Sequence, residues 1–214
     1  MPHRPCARPP FRHIPAPGPV KTATDDFEVV QSKLCIGYRV DITPGGKELS
    51  AMRMMVAILG GTATSKLFLN VREKQSLCYY CGANLDRTKG IVLIDSGVRP
   101  DNAEAAKAAI FHEVEAMQKG DFTDEDMRFA LLSLQNTFRS VEDGLFTIES
   151  YYRAQKVFGS GETREDQCRK LAAVTREEII KAANMLHLDT VYLLNGTASE
   201  GEADEEGEEV PYDG

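Results

Sequence analysis

Metal-assisted peptide hydrolysis asks for two histidines one helical turn apart, with a carboxylate between them to act as base. The chain has four histidines, His3, His13, His112 and His187, and no two have that spacing. The nearest approach is His112-Glu113-Val114-Glu115-Ala116, where an alanine stands at the second histidine position. His112 and Glu115 share a helix face at i and i+3, a pattern that reads as solvated surface. Cys78-Tyr79-Tyr80-Cys81 has the C-x-x-C spacing of a metal or redox pair. A zinc ribbon needs a second such pair, which the chain lacks. On a regular strand, residues i and i+3 point to opposite faces, so these two thiols are not expected to meet on one ion. Gly60-Gly61-Thr62 precedes a helix, but no Gly-Lys-Ser/Thr follows, so a turn and cap is expected rather than a phosphate loop. The four histidines assemble into no plausible nucleophile–histidine–acid set.

The elements that would carry these residues are legible. Leu34 to Val40 reads as a strand after the apolar run Phe27-Glu28-Val29-Val30. Thr43-Pro44-Gly45-Gly46 is a turn. Lys47 to Leu59 has helical spacing, with Leu49, Met52, Val56 and Leu59 on one face, and Gly60-Gly61 stops it. Thr62 or Thr64 is placed to cap a second helix reaching Gln75, with Leu67 and Val71 turned inward. Leu77–Asp86 and Ile91–Val98 are strands, joined by a link short enough for an antiparallel hairpin. Helices are expected over Ala103–Lys119, ended by Gly120, and over Thr123–Phe158, bent or broken at Gly144. Two more are expected over Arg164–Ala173 and, capped by Thr175, over Arg176–Met185. Asp189–Leu194 is the last strand. Segregated helices and strands around a hairpin predict an α+β fold, a mostly antiparallel sheet covered by helices.

The stretch from Gly60-Gly61-Thr62-Ala63-Thr64-Ser65-Lys66-Leu67-Phe68 through Val71-Arg72-Glu73 to Leu77-Cys78-Tyr79 resembles the C-terminal-domain signature of M16 (insulinase/pitrilysin-like) zinc metallopeptidases. That signature is a small-residue turn, Ser-x-Leu-Phe, a Leu/Val-Arg-Glu pair and Leu-x-Tyr heading a strand. Gln31 to Arg39 is similar to the family's first strand in that domain. Val174 to Asn184 and Val191 to Gly196 are similar to its closing helix and strand.

The resemblance implies a LuxS/M16 metallopeptidase-like domain of the C-terminal, non-zinc type. It implies pairing, as a clamshell, with a half that bears His-x-x-Glu-His and the zinc, and an arginine–tyrosine pair reaching across the cleft to the substrate backbone. Arg72 and Tyr79, seven apart, match that pair. A guanidinium and a phenol can donate hydrogen bonds where negative charge develops on a carbonyl oxygen attacked by zinc-activated water. Without the surrounding signature, Arg72 would read as a helix-surface residue and Tyr79 as a core-facing strand residue. Tyr80 competes with Tyr79, because only one of two adjacent strand residues can face the cleft. The helix standing where the zinc motif would be, about 48–59, is apolar, with Met52, Met54, Met55 and Val56, and reads as packed core.

Composition bounds the rest. Residues 1–20 hold seven of the ten prolines, so residues 1–24 are expected to be a disordered leader, with the domain over 25–198. Residues 199–214 carry eight acidic side chains and no basic one, which accounts for the net charge of -8 and reads as a disordered acidic tail. The remainder has no basic stripe, which argues against nucleic acid. No apolar run is long enough for a membrane span. Five cysteines, Cys6, Cys35, Cys78, Cys81 and Cys168, are irregularly spaced with no export signal, so reduced thiols in a cytoplasm are expected. Cys35 and Cys168 are expected as small core hydrophobes.

The expected function is the substrate-clamping half of a two-part zinc peptidase acting on unfolded peptides. It would hold no metal itself, with zinc in a partner that is a separate chain or a missing N-terminal part, and would be inactive alone. The alternatives are a non-catalytic structural or peptide-binding subunit and an inactive truncated fragment.

Overall fold

The computed structural model describes residues 18–43 and 46–198. One five-stranded sheet runs in the order β1-β5-β2-β4-β3. Its strands are β1 Lys21–Phe27, β2 Ser32–Arg39, β3 Cys78–Asp86, β4 Ile91–Val98 and β5 His187–Gly196. All neighbours are antiparallel except β1 and β5, which run parallel. The α+β architecture with a mostly antiparallel, helix-covered sheet is therefore as the pattern predicts.

Alternation along β2 builds the core. Leu34, Ile36 and Tyr38 are buried under the helices, while Lys33, Cys35, Gly37 and Arg39 face the sheet's open side. Met52 and Met55 of α1 (Glu48–Val56) are fully buried, as are Ile110 and Met117 of α2 (Ala103–Lys119) and Ile179 of α6 (Arg176–Ala183). Each such side chain contributes about 1.5–3 kcal/mol by leaving water.

The helix boundaries follow local chemistry. Thr123, Thr163 and Thr175 each form a capping box with the residue three positions on, at the starts of α3 (Asp124–Arg139), α5 (Arg164–Ala172) and α6. Gly120 ends α2 at φ +80°, a left-handed conformation that glycine adopts without strain. Gly144, in extended backbone, separates α3 from α4 (Leu145–Phe158), so the long helical stretch of the sequence is two helices. No residue of α4 is buried, and Leu145 and Phe146 face solvent. It is held instead by the Arg87 guanidinium stacked 4.0 Å over Phe158 and by Tyr151, whose hydroxyl donates to the Glu162 carbonyl at 3.2 Å.

Four expectations are corrected. Ordered structure begins before Asp25, because β1 takes in residues 21–24. The strand is exposed along its whole length and has no apolar alternation to announce it. Cys35 lies on the open face of the sheet, not in the core, and Cys168 is only half-buried. Thr62 does not cap the second helix. Its hydroxyl accepts from the Thr64 amide at 3.3 Å, closing a turn before the helix begins. The remaining correction is one of helix type. The chain leaves α1 through a π-helical turn, Ala57–Gly61, and the segment Leu67–Lys74 is π-helical throughout, with Leu67 and Val71 buried as expected. Residues 1–17 of the expected 1–24 leader, the turn residues 44–45 and the acidic tail 199–214 lie outside the described residues.

The π turn rests directly on β3. A Cβ at Gly60 would lie 2.6 Å from the Ala83 backbone nitrogen and 2.8 Å from the Leu67 side chain. A Cβ at Gly97 of β4 would lie 2.2 Å from the Gln31 amide and 2.4 Å from the Tyr80 ring, both ends of movable side chains. Gly60→Ala is therefore expected to cost about 2–3 kcal/mol and Gly97→Ala about 1 kcal/mol or less. Urea unfolding of the two variants checks the order, and an equal or reversed ranking would refute the backbone contact.

Candidate functional site

Arg72 lies in the last turn of the π-helical segment, half-exposed, with its guanidinium 4.6 Å over the Phe68 ring. The chain then reverses through Ser76, whose φ of 51° makes it the only non-glycine residue with positive φ among the described residues. Two backbone bonds lock the reversal. The Ser76 amide donates to the Arg72 carbonyl at 3.1 Å, and the Leu77 amide donates to the Val71 carbonyl at 3.2 Å. β3 starts immediately afterwards, at Cys78.

The first turn of β3 is irregular. Cys78 stands opposite Val98 and Tyr80 opposite Gly97, so the register slips by one residue at Tyr79. This is a β-bulge, with two residues of one strand against one of the other. Strict alternation with buried Cys81 and Ala83 would turn Tyr79 into the core. The bulge turns it out instead, to 50% exposure. Tyr80 lies across Gly97 on the open face of the sheet. The buried Ser96 hydroxyl donates to the Tyr80 carbonyl at 2.8 Å and so satisfies a backbone group next to the bulge.

Arg72 and Tyr79 thereby line one open cavity of about 330 Å³, with Glu73, Ser76, Leu77, Cys78, Arg99 and Asn102. Tyr80 is not among its lining residues. Arg99 escaped the sequence reading because it comes from a separate segment, the link between β4 and α2. The only signal was its place between the end of a strand and Pro100-Asp101-Asn102 at a helix start. The cavity sets two guanidiniums against a single carboxylate, Glu73, which lies 3.7 Å from Arg72 in a solvent-exposed pair. Exposed pairs of this kind are weak, so the cavity keeps a cationic character that suits peptide carbonyls and carboxylates.

The bulge also corrects the expectation for the C-x-x-C pair. Cys78 and Cys81 stand opposite Val98 and Ser96, two residues apart on the covered face of β4, so both thiols lie on that one face. A hydrogen bond from the Cys81 thiol, helped by the Arg72 charge, lowers the Cys78 pKa from its ordinary value. The same contact, together with burial, pushes the Cys81 thiol up.

No group of three histidine, cysteine, aspartate or glutamate side chains is placed to hold a metal among the described residues. His112 and His187 are exposed on separate elements. Where the resemblance would put a zinc-binding helix, α1 has buried Met52, Met54 and Met55, which do not fit a hydrolytic zinc site. No helix among the described residues is long and apolar enough to cross a membrane.

Comparison with known proteins identifies the family of this fold. Residues 2–134 match the family described as "Peptidase M16 inactive domain". The chain belongs to the M16 peptidase family. It is 34% identical over 177 residues to the "Probable inactive metalloprotease YmfF" of Bacillus subtilis (strain 168), covering 83% of this chain and 42% of that protein. Among solved structures, a conserved protein from Enterococcus faecalis V583 superposes with a TM-score of 0.82 at 26% identity, over 87% of this chain and 44% of that one. The peptidase M16 inactive domain from Pseudomonas fluorescens superposes with a TM-score of 0.72 at 19% identity, over 84% of this chain and 44% of that one, a likeness of fold. This M16 chain spans less than half the length of these relatives.

Ser96→Ala removes the donor that holds the Tyr80 carbonyl. It is expected to destabilise the domain by about 0.5–1.5 kcal/mol, the net worth of one hydrogen bond. Hydrogen exchange should speed up selectively across Cys78–Cys81, and unchanged exchange there would mean that the bulge holds without Ser96.

Proposed function

We propose that this M16 domain forms the substrate-holding wall of a two-part zinc peptidase acting on unfolded peptides. The observation that carries the reading is the meeting of Arg72 and Tyr79 in one open cavity at the head of edge strand β3. The His-x-x-Glu-His helix and its zinc would belong to the other half, on a separate chain or in a further part of the same protein. The hydrolytic chemistry at the metal would be the partner's.

This chain's contribution would be positional and electrostatic. An extended peptide would add to the free edge of β3, taking main-chain hydrogen bonds from a strand with no neighbour on that side among the described residues. The Tyr79 phenol and Arg72 guanidinium would donate to the peptide oxygen on which negative charge gathers. Arg99, facing the same cavity, would favour peptides that place a carboxylate there.

A second reading rests on the comparisons. The family description and the Bacillus subtilis relative both carry the word inactive. On that reading the domain binds peptide, or scaffolds an assembly, without taking part in cleavage.

The two readings separate on a quenched fluorescent unfolded peptide, offered to this chain alone and then to the chain with a co-expressed zinc-binding half, with and without chelator. Cleavage confined to the mixture and abolished by chelator is expected. Arg72→Ala and Tyr79→Phe should each lower kcat in the mixture by up to about 10²–10³-fold with unchanged thermal unfolding. Stable association without cleavage would shift the reading to a binding or structural subunit. Full activity in both variants would remove the holding role.

A further inference from the structure

We propose that Cys78 and Cys81 form an oxidisable dithiol, a modification site for peroxide-class oxidants that closes to a disulfide across the Tyr79 bulge. The argument starts from register. Three sequence steps separate the two cysteines, but the bulge compresses them into the span of two residues on β4, from Val98 to Ser96. Two residues of strand rise are about 6.6 Å. That lies at the upper edge of the Cα separations that disulfides bridge, about 4.4–6.8 Å. A regular strand would have put the thiols on opposite faces and forbidden the bond.

The two thiols divide the labour of such a site. Cys78 lines the Arg72 cavity and is half-buried, so an oxidant reaches it from solvent. Cys81 is buried at 6% exposure, two β4 positions from Cys78 on the same face and screened from direct attack. The Arg72 charge and the Cys81 thiol both favour the Cys78 thiolate, the form that reacts. An accessible thiolate beside a second thiol that can resolve it is the arrangement of a redox-responsive pair.

The chemistry balances. The Cys78 thiolate attacks one oxygen of hydrogen peroxide, the O–O bond breaks, and the departing hydroxide takes a proton to become water. Cys78 is left as a sulfenic acid. The Cys81 sulfur, losing its proton, then attacks the Cys78 sulfur. The S–O bond breaks, and the hydroxyl leaves as a second water. Two thiols and one peroxide become one disulfide and two waters.

Closure has a structural consequence. Tyr79 and Tyr80 are the two residues inside the ring, so drawing Cys78 toward Cys81 tightens the bulge and re-aims Tyr79. β3 is an edge strand among the described residues, with a ladder on one side only to resist the change. An effect on peptide cleavage rests on the substrate-holding reading above. The dithiol itself does not, and its test reads thiol chemistry alone.

The full chain, reduced and then exposed to hydrogen peroxide, is digested with trypsin and weighed. Cleavage after Lys74 and Arg87 places Cys78 and Cys81 in one peptide that holds no other cysteine, while Cys6, Cys35 and Cys168 fall elsewhere and serve as internal controls. The expected result is a loss of two hydrogens from Gln75–Arg87 at lower peroxide than any change at the control cysteines, reversed by dithiothreitol. In Cys81→Ser, Cys78 should instead accumulate as a sulfenic acid trapped by dimedone. Both thiols surviving while Cys35 or Cys168 oxidises would overturn the proposal. So would wild-type Cys78 passing to sulfinic acid without closing on Cys81. If the disulfide forms but the assembled peptidase cleaves at an unchanged rate, the holding role of Tyr79 fails and the dithiol stands.

Discussion

The contact on which this domain's candidate site depends is one of backbone against backbone. Gly60 lies so close to β3 that any side chain there would meet the Ala83 nitrogen. A main-chain nitrogen in a sheet cannot step aside as a side-chain tip can, so the residue is restricted to glycine by space rather than by conformation. The contact pins the exit of α1 to β3. It thereby fixes where the following π-helical segment starts, and with it where Arg72 stands relative to the head of the strand. Leu67, buried between the two, is the apolar half of the same joint. The wider π-helical segment Leu67–Lys74 is tolerated because both ends are held, by the glycine contact before it and by the Ser76 reversal after it.

Much of the fold was legible because local chemistry and tertiary demand agree. The Thr175 cap, the helix end at Gly120 and strand Ile91–Val98 all appear where residue type and period put them. β1 was not legible for the opposite reason. Its side chains are all exposed, so nothing in its hydrophobic pattern marks it as a strand. What holds it is a parallel ladder to β5, more than 160 residues away in sequence, with the Tyr192 hydroxyl donating to Asp25 at 3.0 Å and Asn195 donating to Asp26 at 2.9 Å. Hydrogen bonds between distant segments leave no periodic trace in either.

The candidate site divides in the same way. Arg72 and Tyr79 were readable only through the surrounding signature, since neither residue type nor spacing distinguishes them from a surface arginine and a core tyrosine. Arg99 reaches the cavity by topology: β4 lies beside β3, so the link that follows β4 ends next to the segment that precedes β3. The rule that adjacent strand residues face opposite ways made the two tyrosines exclusive, the seven-residue spacing from Arg72 chose Tyr79, and the rule holds only for a regular ladder. Applied to Cys78 and Cys81, the same rule gave the wrong faces, because a bulge changes the parity of every residue before it.

That change of parity links the site's properties. Downstream of the slip, Cys81 and Ala83 obey the period and fill the core. At the slip, Tyr79 is released from it, and Cys78 takes the inward place that Tyr79 would have held. The bulge therefore supplies an exposed phenol beside a guanidinium and a pair of thiols on one face. It also ends the regular part of an edge strand, which limits indiscriminate pairing with other chains. A peptide adding to β3 would find a straight edge only from Cys81 onward and would meet Tyr79 and Arg72 where the straight edge stops. Substrate register would then be set by the position of the bulge. The hydrogen bond from Ser96 to the Tyr80 carbonyl lies beside that slip and satisfies a backbone group next to the released phenol.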